Sequence, residues 1–129
     1  MPVAKSLRVL IVDDQASIRG ITRYILQQIG INQVTDASHG VQALEALRVR
    51  PFDLVVSDWN MDVMDGLELL KTIRADEKLK KTPFIMVTGQ ADKSLVMTAA
   101  KAGVNNYVIK PFNAATLKTK IEQVLGKLT

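Results

Sequence analysis

The chain has 129 residues, of which 47% are hydrophobic and 23% charged, a length and balance typical of one globular domain and not of a disordered chain. It contains no cysteine and no apolar run long enough to cross a bilayer, which excludes disulfide bonds and thiolate metal sites and leads us to expect a cytoplasmic protein without membrane insertion. The net charge is +4, but the lysines are mostly scattered and dense only at 78–81. We therefore expect them to lie on solvated helix faces and not to bind nucleic acid, and a protein partner with an acidic segment remains an alternative.

Short runs rich in valine and isoleucine alternate with segments of helical periodicity along the chain. The runs predict five strands, at residues 7–14, 33–38, 52–58, 83–89 and 106–111. Apolar residues at three- and four-residue spacing predict five helices, marked by Ile18 to Ile29 before Gly30, Val41 to Leu47 before Pro51, Leu67 to Arg74 after Gly66, residues 91–103, and a helix capped by Asn113 that runs to the C-terminus. This alternation predicts one doubly wound α/β domain over residues 1–129, with a parallel sheet between two layers of helices and no second domain.

Polar residues end four of the five predicted strands. They are Asp13 and Asp14, Asp58, Thr88 and Lys110. Each alone has an ordinary explanation, such as a helix cap, a turn hydroxyl or a surface charge. Because the carboxyl ends of parallel strands meet at one edge, where open α/β sheets bind ligands, their coincidence indicates a site.

Three carboxylates at one site need positive charge, since two unit charges about 4 Å apart repel by about 4 kcal/mol at an effective dielectric constant near 20. Lys110 supplies one charge, and all-oxygen ligands favour Mg²⁺ for the rest. The single histidine, His39, is distant from the acids in the predicted order of elements and is expected to be an exposed turn residue. A metal, a carboxylate, a hydroxyl and a lysine together predict phosphoryl transfer to Asp58, with Lys110 and Thr88 binding phosphoryl oxygens.

Other functions were weighed against the same residues. Asp58, Asn60 and Asp62 begin like a calcium-binding loop, but Val63 and Leu69 stand where that loop needs glycine and glutamate. A phosphatase of the dehalogenase fold would need the pattern D-x-D-x-T, which DDQAS at 13–17 lacks. A flavodoxin-like FMN carrier is disfavoured because the acidic edge repels a phosphate unless a metal is bound.

The VDD at 12–14, Asp58, Thr88 and the KPF at 110–112 resemble the receiver domain of two-component response regulators, over essentially the whole chain. The resemblance implies a flavodoxin-like sheet of order 2-1-3-4-5 and transfer to Asp58 from a phosphohistidine. It implies no enzyme activity beyond phosphorylation and dephosphorylation of the chain itself. It also implies a cis Lys110–Pro111 peptide bond and Mg²⁺ ligands from Asp14, Asp58 and the backbone carbonyl of Asn60, with Asp13 acting through water.

The same resemblance implies a switch and an output surface. Thr88 and Tyr107 would move when Asp58 is phosphorylated, shifting a pre-existing equilibrium. The partner face would lie on the fourth helix, fifth strand and fifth helix, at Lys93, Val104, Tyr107, Ile109, Phe112 and Lys120. The implied partners of a monomer are a CheA-type histidine kinase, the flagellar motor switch protein in chemotaxis, and a phosphatase. A phosphorelay intermediate or a phosphate sink is the alternative.

Some positions depart from the family pattern. Asp62 stands where proline is usual, so we expect a looser loop and a more acidic metal site. Gln90 replaces an acid two residues after Thr88, and with Asn60 it is expected to tune dephosphorylation. The sequence pI near 9.5 is unusual for chemotaxis regulators. Trp59, next to Asp58, is expected to report Mg²⁺ and phosphate through its fluorescence.

Overall fold

A single parallel sheet forms the centre of the computed structural model, which describes residues 2–89 and 93–129. Its strand order is β2-β1-β3-β4-β5, with β1 at Arg8–Val12, β2 at Gln33–Ala37, β3 at Leu54–Asp58, β4 at Phe84–Thr88 and β5 at Asn106–Ile109. The helices are α1 at Ala16–Ile29, α2 at Gly40–Val49, α3 at Gly66–Ala75, α4 at Lys93–Lys101 and α5 at Ala114–Leu125, and a 3₁₀ turn at Ala4–Ser6 precedes β1. The doubly wound fold and the strand order that the sequence predicts are confirmed.

Two apolar layers cover the sheet because successive side chains of a strand point to opposite faces. On one face Val9 and Ile11 of β1 pack with Leu26 of α1 and Leu117 of α5. On the other face the intervening residues of β1 pack with α2 and α3, in a cluster that includes Leu10, Val12, Leu44, Leu47, Leu69, Leu70 and Ile73. Every residue of β3 and β4 is buried, so the two central strands direct their last residues to a defined edge of the sheet.

The helix boundaries follow local signals. Gly30 ends α1 with a φ of 103°, in the left-handed region that glycine adopts without steric cost. The side chain of Asn113 accepts a hydrogen bond from Thr116 N at 2.8 Å, as predicted for the cap of α5. None of the helices in the described residues combines the length and apolarity that a bilayer span needs.

Two expectations about the ends and faces of helices are wrong. The last helix stops at Leu125, and the four residues after it turn back so that Leu128 is buried and Thr129 N donates to the carbonyl of Pro2 at 3.0 Å. Ile21 and Val41 belong to predicted buried stripes, yet they are 55% and 40% exposed. Ile21 faces a groove between α1 and the connection from β5 to α5, and it does not belong to either apolar layer.

Gly20 weakens α1 without a structural need for glycine. No atom lies within 4 Å of the position that its Cβ would take, and the residue is exposed. Gly20→Ala is expected to raise the free energy of unfolding by about 0.5–1 kcal/mol, because alanine restricts the unfolded chain and favours the helix. Urea denaturation followed by circular dichroism measures the change, with Gly66→Ala as the contrasting variant that is expected to lose stability. A Gly20→Ala protein no more stable than the parent would contradict this account of α1.

Candidate acidic site at the carboxyl edge of the sheet

Three aspartates meet at the edge where the strands end. Asp13 and Asp14 follow β1, and Asp58 is the last residue of β3. One carboxylate oxygen from each lies within 4.8 Å of the others. Asp13 and Asp58 are only 4% and 5% exposed, whereas Asp14 is exposed. The cluster is therefore a pocket with two buried acids and one at its mouth.

Lys110 enters this pocket from the end of β5, the strand at the edge of the sheet. Its Nζ lies 2.9 Å from Asp58 Oδ1, and its backbone N donates to the carbonyl of Thr88 at 2.9 Å. The lysine contact is an ion pair without hydrogen-bond geometry, and no hydrogen bond from the described residues reaches Asp58 Oδ1. The ammonium compensates this buried oxygen in part, and a carboxylate oxygen has further lone pairs with which it can bind another positive group.

The pKa of Asp13 is shifted by burial and by the charges around it. Burial raises the pKa of its carboxyl above the usual 3.8, and the charges of Asp58 and Asp14 raise it further. A hydrogen bond from Gln15 N at 2.9 Å and the charge of Lys110 oppose this rise. Sequence reasoning missed Arg19, whose Nη1 donates to the Asp13 carbonyl at 2.8 Å and so fixes the backbone that presents this acid.

These residues fit a hard divalent cation. Carboxylate oxygens and an exposed acid that leaves room for water are the surroundings that Mg²⁺ prefers, and Asp58 Oδ1 has an ion pair with Lys110 but no hydrogen bond from the described residues. Asn60 is exposed two residues after Asp58, and no hydrogen bond from the described residues occupies its carbonyl oxygen. Asp62, expected to make the metal site more acidic, is exposed and lies outside the cluster of three.

The loop after Asp58 is held by its neighbours on both sides. Trp59 N donates to the carbonyl of Val87 at 3.0 Å, and Gly66 N donates to the carbonyl of Trp59 at 2.8 Å. A Cβ on Gly66 would collide with the carbonyl oxygen of Asp58, which is why only glycine fits there. Asp65 and Glu68 form a capping box at the start of α3, which the spacing D-x-x-E at 65–68 makes recognisable in the sequence.

The sequence also made predictions about Thr88, the Lys110–Pro111 peptide bond, His39 and Gln90. Thr88 is the last residue of β4 and 6% exposed. The Lys110–Pro111 peptide bond is cis, as the resemblance implied. His39 is not an exposed turn residue: it is half-buried and caps α2, where its Nδ1 accepts from Gln42 N at 3.3 Å. Gln90 lies outside the described residues.

The predicted partner face wraps around the β5 edge of the sheet. Tyr107 is half-buried, and Lys120 Nζ lies 4.8 Å from the centroid of its ring, a cation–π contact. Val104 and Tyr107 pack against the α2–α3 layer, whereas Phe112 packs against the α1–α5 layer. Lys93 and Ile109 are exposed. The predicted partner face thus combines apolar and cationic side chains.

A doubly wound sheet with an acidic pocket and a paired lysine at its carboxyl edge defines a receiver-like signalling domain. The family model for the response regulator receiver domain matches residues 9–122, and the chain belongs to that family. It is 46% identical over 124 residues to chemotaxis protein CheY-3 of Vibrio cholerae serotype O1, covering 96% of this chain and 95% of that protein.

Solved structures agree with this assignment. The chemotaxis protein CheY4 of Vibrio cholerae superposes with a TM-score of 0.86 at 35% identity, covering 92% of this chain and 98% of that one. The receiver domain of a sensor histidine kinase from Pseudomonas aeruginosa PAO1 has a TM-score of 0.84 at 27% identity, with coverage of 94% and 98%, and holds magnesium in its active-site cleft. The chain is therefore a receiver domain similar to CheY-type chemotaxis proteins, which are not enzymes in the usual sense.

Proposed function

We propose that this protein is a two-component response regulator in which Asp58 accepts a phosphoryl group with the help of Mg²⁺. One observation carries the proposal. Asp58 is buried at the end of a central strand, its Oδ1 lies 2.9 Å from Lys110 Nζ, and that oxygen has no hydrogen bond within the described residues. A carboxylate in this position is desolvated, oriented and close to the positive charge that a phosphoryl group needs.

The transfer uses few groups. An oxygen of Asp58 attacks the phosphorus of a phosphohistidine, the P–N bond breaks, and its electron pair stays on the imidazole nitrogen, which then takes a proton from water. Lys110 Nζ would bind one phosphoryl oxygen, and the Thr88 hydroxyl would bind another. Asp13, Asp14, Asp58 and the Asn60 carbonyl would hold Mg²⁺, which supplies charge neutralisation for the phosphoryl oxygens when bound.

The switch follows from how β4 and β5 are joined. Thr88 pairs with Ile109 in the sheet, and its carbonyl accepts from Lys110 N. A phosphoryl group that attracts both the hydroxyl of Thr88 and the ammonium of Lys110 would pull the ends of these two strands toward it. Tyr107 lies on β5, three residues before Lys110. A movement of the end of β5 would therefore shift the equilibrium between the positions of the Tyr107 ring when the pocket is occupied.

Phosphorylation by a small-molecule donor tests the assignment without a kinase. Incubation with acetyl phosphate and Mg²⁺ is expected to add the mass of one phosphoryl group to the intact protein, and chelation of Mg²⁺ with EDTA is expected to prevent it. A protein whose mass stays unchanged over a range of Mg²⁺ and donor concentrations would contradict the proposal.

Mg²⁺ is expected to stabilise the fold in a pH-dependent way. A bound cation relieves the repulsion among the three acids. A free Mg²⁺ concentration of about 100 times its dissociation constant would add about 2.7 kcal/mol to the free energy of unfolding. Burial raises the pKa of Asp13, so its ionised carboxyl lowers the free energy of unfolding at pH values above that pKa. As the pH falls through it, protonation restores this free energy, and the bound proton displaces the cation. Thermal melts with and without Mg²⁺ should therefore converge as the pH falls through the raised pKa of Asp13.

The Asp13→Asn protein is the matched control for this pH dependence. It keeps two acids and the shape of the pocket, so its stabilisation by Mg²⁺ should be smaller and should change less with pH. A stabilisation by Mg²⁺ that is equal at neutral and acidic pH would contradict the metal assignment.

The output is proposed to be regulated binding in chemotaxis, because the matching relatives are chemotaxis proteins. The expected partners are a CheA-type histidine kinase, the flagellar motor switch protein at the α4–β5–α5 face, and a phosphatase. A relay intermediate or a phosphate sink uses the same chemistry, and the distinction lies in whether the phosphorylated chain binds a motor component or passes its phosphoryl group to a second histidine.

The protein that donates the phosphoryl group needs a docking surface beside the pocket. A groove of about 320 Å³ runs between α1 and the connection after β5, lined by Ile18, Ile21, Thr22, Ile25, Lys110, Pro111 and Phe112. It reaches Lys110 itself, so a helix that carries phosphohistidine and lies in this groove would present its imidazole to Asp58. The exposed Ile21 would be its main apolar contact.

Ile21→Asp is expected to slow phosphotransfer from a histidine kinase at least about tenfold. The substitution places a charge where the docked kinase would bury an apolar contact. Phosphorylation by acetyl phosphate should be unchanged, because that donor needs no docking surface. Val49→Asp is the matched control, as Val49 is 76% exposed on α2. Equal slowing with both donors, or no slowing with the kinase, would contradict a docking role for the groove.

A further inference from the structure

Two arginines of α1 share one carboxylate of β2. Arg19 Nε lies 3.1 Å from Asp36 Oδ2, and Arg23 Nη2 lies 3.1 Å from Asp36 Oδ1. Residues four positions apart lie on one face of a helix, so both arginines reach the same strand. The three side chains form a charged triad that joins α1 to β2, a strand at the edge of the sheet.

Each arginine donates one further hydrogen bond, and the two bonds go to different parts of the fold. Arg23 Nη1 donates to the carbonyl of Val34, within β2, at 2.8 Å. Arg19 Nη1 donates to the carbonyl of Asp13, in the acidic pocket, at 2.8 Å. Arg19 is also the less exposed of the two, with 19% of its side chain accessible against 37% for Arg23. The two arginines thus make the same kinds of contact, but it is Arg19 that reaches the pocket.

The bond from Arg19 fixes a peptide plane that two acids of the pocket share. The carbonyl of Asp13 and the backbone N of Asp14 belong to one planar unit. Asp13 is held at two other points, because its N donates to the Ala37 carbonyl at 3.1 Å and its Oδ1 accepts from Gln15 N at 2.9 Å. Asp14 is exposed in the connection between β1 and α1, so its direction depends on the plane that Arg19 holds.

The effect of Arg19 on the pocket is geometric. Its charge is paired with Asp36, and the charges that shift the pKa of Asp13 come from within the pocket. A guanidinium that neutralised the acids would compete with a cation. One that binds a backbone carbonyl leaves the carboxylates available to the cation.

We propose that Arg19 is a positioning residue for Mg²⁺, which fixes the peptide plane between Asp13 and Asp14 before the cation binds, while Asp36 holds Arg19 in turn. The inference rests on the proposed function, because it concerns the same metal site. Partners that orient metal ligands through hydrogen bonds typically change metal affinity by about 10–100-fold when they are removed. Ligands that are already ordered also lose less entropy when the metal binds.

Arg19→Met is expected to raise the dissociation constant for Mg²⁺ about tenfold, at the lower end of the range for such partners. Methionine keeps an apolar stem of similar length and removes the contacts with both Asp13 and Asp36. Amide chemical shifts of the ¹⁵N-labelled protein, followed during titration with MgCl₂, measure the dissociation constant. In the metal-free protein the same variant should lower the heteronuclear NOE of the Asp14 amide, because its peptide plane gains freedom.

Arg23→Met is the matched control. It also loses one contact with Asp36 and one with a backbone carbonyl, so its thermal stability should fall by a similar amount. Its dissociation constant for Mg²⁺ should stay within about twofold of the parental value, because its contacts lie on β2 and orient no metal ligand. Thermal melts followed by circular dichroism confirm that each variant is folded.

Asp36→Asn tests the anchor of the triad. The substitution weakens the hold on Arg19 but leaves its bond to the Asp13 carbonyl possible, so Mg²⁺ affinity should fall by less than in Arg19→Met. Parental affinity in Arg19→Met, an equal loss in Arg23→Met or a larger loss in Asp36→Asn would overturn the inference and leave the proposed function standing. A parent protein that does not bind Mg²⁺ would overturn the proposed function, and the positioning role with it.

Discussion

Replacing Asp58 with asparagine is expected to abolish phosphorylation by acetyl phosphate and Mg²⁺. The neutral amide has nearly the shape of the carboxylate, so the pocket is retained while the nucleophile and one metal ligand are lost. Asp58 Oδ1, the atom next to Lys110 Nζ, would then carry no negative charge to attack phosphorus. Intact-mass measurement should show one added phosphoryl group on the parent protein and none on Asp58→Asn.

Asp62→Asn is the matched control for this loss. Asp62 is an acid of the same loop, but it is exposed and lies outside the cluster of three aspartates. We expect this variant to be phosphorylated at close to the parental rate. Full phosphorylation of Asp58→Asn, or a phosphoryl group mapped by peptide sequencing to another residue, would contradict the assignment of the acceptor.

Arg74→Met is expected to cost about 2–4 kcal/mol of the free energy of unfolding, the largest loss that we expect from a single side chain outside the apolar layers. Its guanidinium donates to the carbonyls of Lys80, Thr82 and Gly103 and to Asn105 Oδ1. Burial lowers the pKa of this guanidinium, but an arginine keeps its charge in a folded protein. One side chain thus joins the end of α3 to the segments before β4 and before β5.

Urea denaturation measures the loss, and Arg74→Lys tests its cause. A single ammonium cannot contact four acceptors placed around a planar group, so lysine should recover only a small part of the stability. Arg48→Met is the matched control, since Arg48 is exposed near the end of α2, and it should change stability by no more than about 0.5 kcal/mol. Equal losses for Arg74→Met and Arg48→Met would contradict this role.

The fold was predictable because its signals are local. Runs of four or five buried residues between turn residues identify central strands such as β3 and β4, and Asn113 and Gly30 mark helix ends through their own backbone chemistry. The face of a helix is harder to predict, because it depends on what lies opposite. Ile21 has the spacing of a core residue, yet the connection after β5 leaves it exposed.

The core of the site was predictable for a geometric reason. Parallel strands bring their carboxyl ends together, so Asp13, Asp58 and Lys110 could be placed at one edge without knowing a single distance. Contacts made by long side chains across the fold gave no such signal. The bond from Arg19 to the Asp13 carbonyl depends on the rotamer of a long side chain, and the bonds from Arg74 to Gly103 and Asn105 join segments that are far apart in sequence.

The central claim is that a filled Asp58 pocket changes the surface around β5. Two-dimensional NMR of the ¹⁵N-labelled protein, before and after addition of Mg²⁺ and beryllofluoride as a phosphoryl mimic, tests it most directly. We expect large amide shifts at Asp58, Thr88 and Lys110 that continue to Tyr107 and Ile109, and none of them in Asp58→Asn. Shifts confined to the pocket, with Tyr107 and Ile109 unchanged, would contradict the account.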